Sequence, residues 1–141
     1  MADRSSAKIF RTDSQSKNIE LVQEFDHPIG LLKDKDLLSD KPGRSKDRKG
    51  RGKHSYSQGV SPSKQIMLNF TNVIAQILDK GRTMDRMDEI ILICPPAMLG
   101  LLRTHLNAST RKMVIASLKK DLVKLSGANL KSTVSKLIAE I

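Results

Sequence analysis

The 141-residue chain has no Trp, one Tyr and three Phe, so its core must come mainly from Ile, Leu, Val and Met. A single cysteine, Cys94, excludes an internal disulfide and favours a reducing compartment. No apolar run approaches the roughly 20 residues that a membrane-spanning helix needs. The opening residues, MADRSSAKIF, hold no apolar stretch of secretory-signal length. These absences make a soluble, cytoplasmic protein the expectation. The length suits one domain, residues 1–141, and is short for two.

Acidic residues are the minority. Fifteen Asp and Glu stand against 25 Lys and Arg, for a formal net charge of +10. Such a balance points to polyanionic partners and says nothing about fold. The charge is uneven: residues 33–59 carry +5 and residues 101–141 carry +6, whereas residues 60–100 sum to zero.

The patterning predicts an α/β domain. SAKIFRT (residues 6–12) and NIELVQEFD (18–26) read as a hairpin. In the second strand Ile19, Leu21 and Phe25 alternate with Glu20 and Glu24. From His27 to Val60 the chain has two prolines, five glycines and scattered leucines, and a long basic loop is expected at about 33–60. Leu31, Leu32, Leu37 and Leu38 are expected to dock its first half through one helical turn. Ser61 and Pro62 then open a helix whose apolar stripe runs Ile66, Met67, Phe70, Val73, Ile74, Ile77 and Leu78, with Gly81 as its terminator. DEIILIC (88–94), ended by Pro95 and Pro96, reads as a strand covered on both faces. A helix over 97–105, a short helical piece near Thr110, a strand over 114–119 and a last helix capped by Ser126 complete the order. Leu130, Val134, Leu137, Ile138 and Ile141 form the expected buried face of that last helix. Helices alternating with strands after a hairpin imply a mixed β-sheet with covering helices.

The segment GRSKDRKGRGKHSY is the outstanding chemical feature. Arg44, Lys46, Arg48, Lys49, Arg51 and Lys53 face only Asp47. Gly50 and Gly52 let the backbone approach a partner closely. His54 and Tyr56 add rings beside Ser55. Phosphate neutralisation and base stacking suit RNA, while a solvated charged loop and an acidic protein partner are the competing readings. Lys119, Lys120 and Lys124 could belong to a second basic face.

No catalytic or metal site stands out, and no cofactor is implied. His27, His54 and His105 are far apart, and none pairs with Cys or a carboxylate at metal-ligand spacing. His105 suits a helix C-terminus. Asp34, Asp36 and Asp40 lack the glutamate of a calcium loop and are interrupted by lysines. Cys94 reads as buried and inert, and Ser55 has no neighbouring base. Gly50-Arg51-Gly52 lacks the spacing of a P-loop.

His27-Pro28, Asp40-Lys41-Pro42-Gly43-Arg44-Ser45, Pro95-Pro96 with Leu99-Gly100-Leu101-Leu102, and Lys120-Asp121-Leu122 resemble the bacterial host-attachment protein family over nearly the whole chain. That family usually begins with a fuller first strand, so a late start is expected here. The family is in turn similar to the middle domain of archaeal and eukaryotic class-one release factors. The resemblance implies a mixed sheet and a long basic loop before the first long helix. In release factors that loop carries Gly-Gly-Gln for peptidyl-tRNA hydrolysis. Here Gly50-Arg51-Gly52-Lys53-His54-Ser55 keeps the glycines and arginine, but Lys53 and His54 replace the final Gly-Gln.

Three functions follow as expectations. The first is a non-catalytic RNA- or ribosome-binding factor acting through Arg44, Lys46, Arg48, Lys49, Gly50, Arg51, Gly52, Lys53 and His54. The second is a peptidyl-tRNA hydrolase with His54 in place of Gln. The third is a protein-interaction role in attachment to host cells, against an acidic surface. The sequence does not specify an oligomeric state.

Overall fold

The computed structural model describes residues 1–13, 18–39 and 59–141. Strands β1 (Ser6–Thr12) and β2 (Ile19–Asp26) form the antiparallel hairpin. A 3₁₀ turn (Pro28–Leu31) and a short helix α1 (Asp34–Ser39) follow. The remaining elements are α2 (Pro62–Thr83), β3 (Ile90–Ile93), α3 (Pro96–His105), α4 (Ala108–Lys112), β4 (Val114–Leu118) and α5 (Gly127–Ala139). β3 and β4 are parallel, joined by the α3–α4 crossover. The α/β architecture expected from the sequence is therefore present.

Its sheet is built as two pairs rather than one continuous ladder. Ala2 splices them. It forms an antiparallel bridge to Ala7 of β1, and its N–H donates to the Ile93 carbonyl of β3 at 3.0 Å. The spatial order is thus β2, β1, Ala2, β3, β4.

The main core lies between the strands and helices α2 and α3. Ala7, Phe70, Ile74, Leu78, Leu92, Met98 and Leu102 are buried in it, with Phe25 packed alongside. A smaller cluster joins the hairpin to α5 through Ile19, Leu130 and Val134, with Phe10 alongside. Ile19 and Phe25, expected on one face of β2, thus belong to different cores. The cause is a bulge: Ile9 pairs with Gln23 and Phe10 with Leu21, so Val22 is skipped. One extra residue reverses which side chains face each side.

Four further expectations need correction. Leu31 and Leu32 are 64% and 39% exposed, so they do not dock the segment after β2. That task falls to His27 and Gly30, described below. Gly81 does not end α2, which continues to Thr83. A Cβ at position 81 would overlap the end of the Met87 side chain, so the glycine makes room for Met87. Ser126 occupies the N-cap position of α5, but its side chain makes no capping bond, and Gly127 adopts φ +57°. On α5, Leu130, Val134 and Leu137 are buried as expected, whereas Ile141 is exposed.

Candidate nucleic-acid interface

Arg44, Lys46, Arg48, Lys49, Gly50, Arg51, Gly52, Lys53 and His54 all lie outside the described residues, as do Ser55 and Tyr56. What is described is the frame from which that segment departs and to which it returns.

The departing side is clamped at His27. Its ring stacks on Phe70 of α2, with centroids 4.1 Å apart and planes 2° from parallel. Its N–H donates to the Ser5 carbonyl at 2.6 Å, and its Nδ1 lies 3.1 Å from the Arg4 carbonyl oxygen. Pro28 presets the 3₁₀ turn that follows. Gly30, at the end of the His-Pro-Ile-Gly run, is buried against Arg4, whose Nε donates to the Gly30 carbonyl. A Cβ at position 30 would overlap the Arg4 carbonyl oxygen, so only glycine lets the turn lie this close to residues 2–5.

The returning side is the N-terminus of α2. Ser61 caps it, accepting from the Lys64 N–H at 3.4 Å, and Pro62 follows. Asp34 reaches across from α1, accepting the Ser63 N–H at 2.8 Å. One carboxylate therefore ties the helix before the basic segment to the helix after it. The Ser63 backbone bond, then the Ser63 hydroxyl, hold the Asp34 carboxyl below the usual carboxylate range, with smaller help from Ser61 and Arg4. The positive end of the α2 dipole acts in the same sense.

From the sequence, His27 reads as an unsuccessful metal ligand and, with Pro28, as part of the family resemblance, Asp34 as an unsuccessful calcium ligand and Phe70 as core. The available signal was His-Pro-x-Gly closing a strand: a proline-set turn followed by a residue with no side chain.

The other candidates resolve into structural roles. Cys94 is 1% exposed, and burial raises its thiol pKa. His105 ends α3, where its Nε2 has no hydrogen-bond partner among the described residues. Asp79, near the C-terminus of α2, accepts from Asn107, from the Thr110 hydroxyl at 2.8 Å and from Arg82 at 3.0 Å. All three lower its pKa, and Asn107 and Thr110 bind α2 to α4. Among the described residues, no group of three His, Cys, Asp or Glu could hold a metal ion. No helix among them is long and apolar enough to cross a membrane.

An open groove of about 480 Å³ separates the hairpin from the start of α5. Phe10, Ile19 and Leu130 line it, with Lys8, Glu24 and Lys131 also at its wall. Lys8 and Glu24 pair at 3.3 Å, so the groove presents no field of one sign.

No curated protein matches the chain. A family model, described as protein required for attachment to host cells, matches residues 1–134. A match over that much of 141 residues settles membership: the chain belongs to the family of proteins required for attachment to host cells.

Proposed function

We propose that this protein is a non-catalytic RNA-binding factor, with the ribosome as its setting, that uses residues 44–54 as its contact surface. One observation carries the reading: six Lys and Arg against one Asp within ten residues, Arg44 to Lys53, interleaved with Gly50 and Gly52. Cations at this density neutralise successive phosphates, and glycines admit close backbone approach. The resemblance of Gly50-Arg51-Gly52 to a release-factor loop that has lost its glutamine agrees with binding that outlives catalysis. The frame is compatible with it, because His27, Gly30 and Asp34 fix both roots of the segment against α2. Any role in host attachment then follows from what the factor does to RNA or translation inside the cell.

The test is crosslinking in the producing cells, followed by sequencing of the recovered RNA. The control replaces Arg48, Lys49, Arg51 and Lys53 with Ala. Ribosomal RNA or tRNA recovered with the native protein and lost with the variant is the expected result. Equal recovery from both proteins, or no enriched RNA, would sink the reading. Replacing His54 alone should leave RNA recovery intact. Turnover of peptidyl-tRNA that vanishes with His54 would make the protein a hydrolase instead.

A further inference from the structure

The second basic block, Lys119, Lys120 and Lys124, occupies the connection between β4 and α5, and all three lysines are exposed. β3 and β4 are parallel, so their carboxyl ends coincide: Ile93 is level with Leu118, and the Cys94 N–H donates to the Leu118 carbonyl at 3.1 Å. Ala2 joins β3 at this same end, at the Ile93 carbonyl. Residues 3–5 continue from there to the Arg4–Gly30 and Ser5–His27 contacts that clamp the departing root of the basic segment. α2 begins at this end too, since it runs to Thr83 before the chain enters β3 at Ile90.

Lys119 and Lys120 therefore stand at the end of the sheet from which residues 40–58 depart and to which they return. From β2 to β4 there are four strand spacings of about 4.8 Å, roughly 19 Å in all. A single stretch of nucleic-acid backbone covers that distance. In open α/β sheets, the carboxyl ends of parallel strands are also the usual place for a ligand.

Lys119, Lys120 and Lys124 surround one acid, Asp121, and none of the three lysines has an ion-pair partner among the described residues. At the amino end, Lys80, Arg82, Arg86, Arg111 and Lys112 stand among Asp79, Asp85, Asp88 and Glu89, and Arg82 is paired with Asp79 at 3.0 Å. A polyanion is therefore drawn more strongly to the connection after β4.

We infer that Lys119, Lys120 and Lys124 form a folded, phosphate-binding half of the RNA interface, complementing residues 44–54. The inference rests on the RNA reading of the preceding subsection. It assigns the lysines the sequence-independent part of recognition, namely contacts to the phosphates of single-stranded RNA.

The experiment measures binding of the full chain to a short labelled single-stranded RNA by fluorescence anisotropy over a range of salt concentrations. Three variants are compared with the native protein, after thermal melts have verified that each folds. The first carries the four loop alanines. The second is Lys119→Ala, Lys120→Ala and Lys124→Ala together. The third removes the same charge from the amino end through Lys80→Ala, Arg86→Ala and Lys112→Ala.

Each phosphate contact contributes about 0.7 to the salt slope on a single strand, so the second variant should lose about 2. The same relation makes its affinity on the order of 100-fold weaker at ~0.1 M salt. The amino-end variant should stay near the native curve. Native slope and affinity in the Lys119–Lys124 variant, with binding lost in the loop variant, would overturn this inference and leave the RNA reading standing. Equal losses in both triple variants would reduce the effect to net charge and also overturn it. No RNA binding by the native protein would remove the RNA reading and this inference together. Preference for polyglutamate over RNA of equal charge would overturn it in favour of an acidic protein partner.

Discussion

Replacing Gly30 with Ala tests the clamp that fixes one root of the basic segment. A Cβ there would overlap the Arg4 carbonyl oxygen, and would lie 2.8 Å from the Arg4 carbonyl carbon and 2.9 Å from His27 Nδ1. The first two atoms are backbone, and the third belongs to a ring stacked on Phe70, so none can swing aside. The 3₁₀ turn must lift away from residues 2–5. Overpacking of this kind costs about 1–3 kcal/mol, and losing the Arg4–Gly30 hydrogen bond adds about 1 kcal/mol. The total, about 2–4 kcal/mol, corresponds at roughly 3 °C per kcal/mol to a fall in Tm of about 6–12 °C. Gly100→Ala is the internal comparison. Gly100 sits in the middle of α3, and a Cβ added there would meet nothing within 4 Å. Alanine should therefore gain about 1 kcal/mol of helix propensity and raise Tm by about 3 °C. Thermal unfolding followed by far-UV circular dichroism measures both. An unchanged Tm in Gly30→Ala, or falls of equal size in the two variants, would refute the clamp.

Two further predictions concern stability and reactivity. Asn107, Thr110 and Arg82 hold the Asp79 carboxyl below its ordinary range. A depressed pKa adds stability that is present above the unfolded value and is lost as pH falls through the folded one. Asp79→Asn should therefore be less stable than the native protein at neutral pH, and the two should converge in acid. Denaturant titrations at a series of pH values test this, and curves that remain parallel down to acid would contradict it. Cys94, buried with a raised thiol pKa, should react with a thiol reagent only after unfolding. Labelling of the native protein as fast as of the denatured chain would show that the β3 end is open.

What the sequence made legible was whatever repeats locally. The 3.6-residue stripe of α2, the continuous apolar run of β3 and the spacing of Leu130, Val134 and Leu137 each declare a period and a buried face, and the elements fall where they should. What escaped depends on partners distant in sequence. Nothing near Gly30 indicates that Arg4, 26 residues earlier, will lie against it. Nothing near Asp34 indicates that its partner is Ser63. The leucines after β2 look like docking residues because hydrophobicity is their only local property, yet Leu31 is left in solvent while a histidine and a glycine make the contact. The bulge at Val22 is invisible for a related reason. Strand alternation looks regular until the partner strand sets the register.

For the basic segment, the frame matters more than the number of charges. Net charge speeds encounter with any polyanion but does not say where it stays. Position comes from the roots, and one root contains an acid that could have opposed the lysines around it. Asp34 is instead committed: its carboxylate accepts the Ser63 N–H at the positive end of α2, and that bond lowers its pKa. The bond keeps the carboxylate ionised, but fixes it at the junction of the two helices, where the positive end of α2 partly offsets its charge. The parallel pair supplies the complementary constraint, because Lys119 and Lys120 can only emerge where β4 ends, level with the end of β3. The two basic blocks lie more than 60 residues apart in sequence, and the parallel register with the Ala2 splice brings the second to the end of the sheet at which α1 and α2, the described flanks of the first, meet. A fold that set Lys119 and Lys120 at the opposite end from those flanks would carry the same +10 without that proximity.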